Sequence, residues 1–170
     1  VKKLIALLAA ASATTLGGCA TVLNGTHTSY ETETRPQHAT VKFSNGQTCT
    51  TPCKLEFRRK DHLRADITMP GYKPTYVLIQ SKLGGATFGN VIAGGIVGGV
   101  VDASNGASNR LSPSPLIVRL APEGSPGGAV LLDKKGAVVK TVKAHNDSVR
   151  TALSKSLGAR LAGLEGDDPQ

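Results

Sequence analysis

Three cysteines, four histidines and one close pair of glutamates are the side chains of this 170-residue sequence with the most chemical potential. Cys19 stands alone, whereas Cys49 and Cys53 lie four positions apart in the turn-like stretch Thr48-Cys49-Thr50-Thr51-Pro52-Cys53. Two thiols at that spacing either bond to each other or supply part of a zinc site. Zinc needs further ligands. No second cysteine or histidine pair has suitable spacing, and His62 alone is too few, so no metal site is expected. His27, His38, His62 and His145 are isolated in polar contexts and read as solvent-exposed. Glu31 and Glu33 are paired carboxylates, but their Thr-rich surroundings read as a flexible segment that cannot hold acid–base geometry. Gly-x-Ser-x-Gly, His-Glu-x-x-His and a Gly-rich loop followed by Gly-Lys-Ser/Thr are all missing. The expectation is a protein that is not an enzyme and has no resident cofactor.

The N-terminus gives Cys19 a different meaning. Lys2 and Lys3 precede an apolar run from Leu4 to Ala13, about ten residues, and small residues follow up to Gly18. A membrane span needs ~20 apolar residues, so this run reads as the core of a secretory signal. Leu16-Gly17-Gly18-Cys19 resembles the lipobox of bacterial lipoproteins, over residues 1–20. That resemblance implies that residues 1–18 are a cleaved signal peptide. It also implies that the Cys19 thiol receives a diacylglycerol and its freed amine a further acyl chain, enough lipid for a lasting anchor. Inner-membrane lipoproteins often carry Asp after the cysteine; Ala20 stands here, so the resemblance implies the outer membrane, with the body facing the periplasm. In that oxidising compartment neighbouring thiols more often pair than stay free, and a Cys49–Cys53 disulfide is expected.

Loss of Lys2 and Lys3 leaves 18 basic against 12 acidic residues. Such a surface favours anionic headgroups or acidic polysaccharide, with an unspecific solvated surface as the plain alternative. Export argues against nucleic acid. The partners expected are membrane lipid through Cys19 and an envelope protein or cell-wall polymer.

Residues 19–37 read as a lipid-anchored tether running into a first strand. From Ala39 onward apolar and charged residues alternate: Val41 and Phe43 around Lys42, Leu55 and Phe57 among Lys54, Glu56 and Arg58, then Leu63, Ala65 and Ile67 among Arg64, Asp66 and Thr68. Each stretch predicts a strand with one buried face, and Thr75 to Gln80 predicts another after the Pro70-Gly71 turn. Gly46, Thr51-Pro52, the next strand, a basic turn and Gly71-Tyr72 resemble the PEGA-type β-domain across residues 38–80. The resemblance implies a small extracytoplasmic module for binding or scaffolding. The cysteines flanking Thr51-Pro52 depart from its simplest form and suggest a stapled loop. Gly46 and Gly71 are expected at positive φ, with Pro52 fixing the entry to the next strand and Tyr72 at the core edge.

The segment 83–101 carries no charge and seven glycines, and Gly94, Gly95, Gly98 and Gly99 form two overlapping Gly-x-x-x-Gly steps that allow close backbone packing. A buried or self-packed helix is the leading reading, with a membrane-associated segment and a loop as alternatives. Leu116 to Leu120 predicts a core strand that closes a β-domain of residues 38–120. Residues 121–128 look like a linker, and residues 129–170 like a hairpin turning at Asp133–Gly136, then an amphipathic helix. That helix is expected to be capped by Asn146 or Asp147, to run to Leu164 and to pack on the hairpin. The fold class is therefore α+β, mainly β: a small antiparallel sheet or sandwich with a Gly-rich helical insertion, then a hairpin and helix. Two functions fit: a structural or interaction module of the cell envelope, or a membrane-active component whose segment 83–101 inserts or oligomerises in the bilayer.

Overall fold

The computed structural model describes residues 25–83 and 108–164; Cys19, Gly94, Gly95, Gly98, Gly99 and all of the Gly-rich run except Leu83 lie outside the described residues. Side-chain alternation sets the layers. In β2 (Thr40–Phe43) Val41 and Phe43 turn inward while Thr40 and Lys42 stay in solvent. Phe57 is buried in β4 (Cys53–Arg58) between exposed Glu56 and Arg58. These strands belong to two five-stranded sheets. One sheet has the order β10-β9-β8-β1-β4, with β1 (His27–Arg35), β8 (Leu116–Arg119), β9 (Val130–Leu132) and β10 (Val138–Thr141). The other has the order β3-β2-β5-β6-β7, with β3 (Thr48–Thr50), β5 (Leu63–Thr68), β6 (Thr75–Leu83) and β7 (Asn109–Ser112). The expected mainly-β class with a C-terminal helix holds.

An aromatic trio joins the sheets. Phe57 lies 5.4 Å from Tyr30 of its own sheet and 4.8 Å from Phe43 of the other, centroid to centroid. Val41, Ile67, Val77, Ile79, Leu116 and Val118 are buried around it in one cluster. The fully buried Tyr30 hydroxyl donates to the Pro113 carbonyl at 2.6 Å, so its phenol keeps a partner, and burial holds its pKa far above the ordinary range.

Several local readings differ from the structure. Residues 27–35 are an internal strand rather than tether, antiparallel to β4 and parallel to β8. Their inward side chains are Tyr30, Thr32 and Thr34, and buried hydroxyls made the stretch look hydrophilic. The proposed linker is tied to the turn before β6: Lys73 N–H donates to Ala121 O at 2.9 Å and Glu123 N–H to Gly71 O at 3.0 Å. The hairpin of β9 and β10 then joins β8 in the first sheet, so it extends that sheet rather than standing apart.

The helix, α1 (Val142–Leu157), is capped by Thr141, whose hydroxyl accepts from Ala144 N–H at 3.1 Å, and it ends before Gly158. It packs chiefly on β6, where Val149 and Leu153 bury Tyr76 and Leu78. Five consecutive residues of β6, Thr75 to Ile79, are buried because the core covers one face and α1 the other. Asn146 is no cap. It is fully buried within the helix, accepts from Leu78 N–H at 3.0 Å and donates to Tyr76 O at 2.8 Å. Next to it His145 bonds Leu78 O at 2.8 Å. The pairing of β7 with β6 stops at Gln80↔Ser112, so these two side chains continue the ladder along an edge that would otherwise lack a partner. Beside them Arg64 stacks over Tyr76 at 3.9 Å and pairs with Asp66, while Arg150 donates to the Tyr76 hydroxyl.

Candidate functional site

The expected Cys49–Cys53 disulfide is present, with Cα atoms 6.3 Å apart. Cys49 belongs to β3 and Cys53 to β4, so the bond ties an edge strand of one sheet to an edge strand of the other. The corner between them is a buried hydrogen-bond chain. The Thr34 hydroxyl donates to Pro36 O, the Thr51 hydroxyl lies 2.5 Å from Thr34 Oγ1, and Ala39 N–H donates to Thr51 Oγ1 at 3.0 Å. With Thr34 donating to Pro36 and Thr51 accepting from Ala39, the Thr51 hydroxyl donates to Thr34, and every group is satisfied. Gly46 and Gly71 have φ of 90° and 79°, and β4 starts directly after Pro52, as the turn reading expected.

The four histidines separate by environment. His27 and His38 are exposed. His62 is half-buried, and its Nδ1 accepts from Ser81 N–H at 3.1 Å; burial lowers its pKa, against Asp61, which raises it. His145 is buried, contrary to the exposed reading. Burial lowers its pKa most, the Leu78 carbonyl opposes this, and Lys140 and Lys82 lower it further. Glu31 and Glu33 lie on β1 rather than on a flexible segment, and Glu31 pairs with Lys54 at 3.1 Å. Among the described residues no group of three or more His, Cys, Asp or Glu side chains could hold a metal ion. Among the same residues no helix is long and apolar enough to cross a membrane.

One end of the sandwich gathers features that are far apart in sequence. The backbone of Arg59, in the β4–β5 turn, donates to Thr26 O at 2.9 Å, and its side chain donates to His27 O at 3.2 Å and Asn109 O at 3.5 Å. The Ser81 hydroxyl donates to Arg59 O at 2.6 Å, and Asn109 Nδ2 donates to Ser81 Oγ at 2.8 Å. Arg59 therefore binds together the start of β1, the end of β6 and the start of β7. Around it Arg58, Lys60, Lys82 and Arg110 are exposed. Lys82 and Arg110 are direct partners across β6 and β7, and His27 and Arg58 across β1 and β4. A shallow cavity of about 250 Å³ is lined by Thr26, His27, Arg58 and Lys60. Asp61 and Glu56 are the acidic residues adjacent to this cluster in sequence.

The sequence showed Arg58-Arg59-Lys60 as a basic turn, but Lys82 and Arg110 join it only through strand pairing. The available signal was their position: Lys82 directly precedes the uncharged run, and Arg110 lies a few residues beyond it. No protein-family model, curated protein or solved structure matches the chain.

Proposed function

We propose that this chain is a non-catalytic cell-envelope lipoprotein, held through lipid on Cys19 at the periplasmic face of the outer membrane, with its β-sandwich serving as a structural or interaction module. The observation that carries this reading is the order Lys2-Lys3, apolar Leu4 to Ala13 and Leu16-Gly17-Gly18-Cys19, which resembles a lipobox signal. Gly25 lies six residues after Cys19, and the internal strand β1 starts two residues later. Six extended residues reach at most about 20 Å, so lipid on Cys19 would hold the sandwich close against the bilayer. The disulfide between the sheets supports an oxidising compartment. The left-handed turns at Gly46 and Gly71 and the Thr51-Pro52 corner support the PEGA-like reading.

Metabolic labelling of cells with a fatty-acid analogue tests the anchor. The wild-type chain is expected to take up label, and Cys19→Ala to lose it and leave the membrane fraction or accumulate as precursor. Undiminished labelling of Cys19→Ala ends the lipoprotein reading. One observation favours the second reading, a membrane-active component using segment 83–101. Leu83 and Asn109 pair directly, so the chain leaves and re-enters the sandwich at the same end as Thr26.

A further inference from the structure

We propose that the Arg59 end of the sandwich is a docking face for an anionic lipid surface, with Arg58, Lys60, Lys82 and Arg110 contacting headgroup phosphates. The proposal deepens the lipoprotein reading and rests on it for the body's orientation; the charge of the face is independent of it.

Three features of this end agree. The first is charge: the four side chains are exposed, and among the described residues none of them forms an ion pair. Three come from different strand ends and one from a turn, so the fold, rather than a basic run, assembles the cluster. The second is chain direction. The described chain begins at Gly25 and Thr26, and breaks off at Leu83 to resume at Ser108, all at this end of the sandwich. The third is polarity. Leu83, 50% exposed beside Lys82, gives this end an apolar side chain that a lipid boundary accepts. Arg59 is engaged in holding β1, β6 and β7 together, which leaves the four surrounding cations to meet the headgroups.

The opposite end supplies the control. Arg35 closes β1 and Arg119 pairs with it, Lys140 lies level with Thr34 through Leu131 and Val118, and Lys42 lies level with Tyr76 through Asp66; all four are exposed. Eight steps along β1 separate Arg35 from His27, about 26 Å, and six steps along β6 separate the level of Lys42 from Lys82, about 20 Å.

The test uses the full chain carrying Cys19→Ser, so that acylation cannot contribute. Its sedimentation is measured with vesicles of phosphatidylethanolamine alone and with about one quarter phosphatidylglycerol; each basic side chain at an anionic surface adds about fivefold to the partition coefficient. Arg58→Gln, Lys60→Gln, Lys82→Gln and Arg110→Gln together are expected to lower binding to the anionic vesicles by about 600-fold. Arg35→Gln, Arg119→Gln, Lys140→Gln and Lys42→Gln together are expected to change it by less than about fivefold, although net charge falls equally. Circular dichroism melting of both variants checks folding, and Lys2 and Lys3 are common to all arms. Equal losses in the two variants, equal binding to both vesicle types, or selective loss of retention on cell-wall polymer instead would each overturn the proposal. Failure of fatty-acid labelling with this charge dependence intact would remove the covalent anchor and leave the docking face standing.

Discussion

Replacing Asn146 by Leu is the sharpest test of how this fold is held together. The side chain is fully buried and serves two backbone groups of β6, the Leu78 N–H and the Tyr76 carbonyl. Leu has the same branched arrangement of heavy atoms, is bulkier, and has neither hydrogen-bonding function. Each orphaned backbone group costs roughly 1–3 kcal/mol, offset in part by the apolar surface gained, so a net loss of about 2–4 kcal/mol is expected. In a body of this size that is a fall in Tm of about 8–16 °C, measured by circular dichroism. Asn146→Asp separates hydrogen bonding from packing. At neutral pH its carboxylate would face the Tyr76 carbonyl without a proton, and the destabilisation should match or exceed that of Leu. At pH 4 the neutral acid can donate to Tyr76 and accept from Leu78, and the deficit relative to wild type at the same pH should shrink. A melting point for Asn146→Leu within about 2 °C of wild type would refute the claim that α1 completes the ladder of β6.

Other consequences can be measured on the same material. Phe57 sits between Tyr30 and Phe43, and Phe57→Ala should cost about 3–5 kcal/mol in denaturant unfolding, since it removes the ring that both sheets pack against. A non-reduced digest should contain Cys49 linked to Cys53, and two freely alkylated thiols in periplasmic material would contradict this. Replacing both by Ser should cost about 2 kcal/mol by the chain-entropy argument for so short a loop. The folded-state pKa values of His145 and His62 lie below the ordinary 6.5, so their stabilising contribution is complete above that pH. As pH falls below 6.5 the unfolded chain takes up protons the folded one resists, and unfolding free energy should decline toward pH 5. His145→Gln, which can still donate to Leu78 O, should flatten part of that slope; an unchanged slope in His145→Gln and His62→Asn together would exclude this origin.

The strands that alternation disclosed are those whose outward face carries charge. Lys42, Glu56, Arg58 and Asp66 mark solvent, and Val41, Phe43, Phe57 and Ile67 the core, so β2 and β4 were legible residue by residue, and β5 except at Arg64, which is buried over Tyr76. β1 hid itself because Thr32 and Thr34 are buried, and a threonine-rich stretch reads the same whether its hydroxyls face water or one another. The helix deceived in a different way. Asn146 has the chemistry of a cap, and only the tertiary structure shows that its amide stands in for a missing strand. The Cys49–Cys53 bond was legible from the spacing together with the oxidising compartment that the lipobox resemblance implies. The basic end was not, because Lys82 and Arg110 meet across a gap of 28 positions through a pairing that no local pattern encodes.

How the sheet edges are treated narrows the ways this body can bind a partner. An open edge invites a strand from another chain, and proteins that avoid this blunt their edges with bulges, charges or covering elements. Here β3 and β4, an edge of each sheet, are tied to each other by the disulfide. On the other side of the second sheet β7 is only four residues long, and Asn146 and His145 occupy β6 where β7 stops. The remaining edge, β10, shifts register between Val138 and Lys140 and exposes all four of its side chains, Lys140 among them. Recruitment by strand addition is therefore disfavoured at each edge. What remains is recognition through side chains, and the side chains gathered by the fold rather than by the sequence are the cations around Arg59. A face read by charge tolerates a fluid, heterogeneous partner, as a bilayer is, better than backbone pairing would. That is why the closed edges and the basic end point to the same kind of contact.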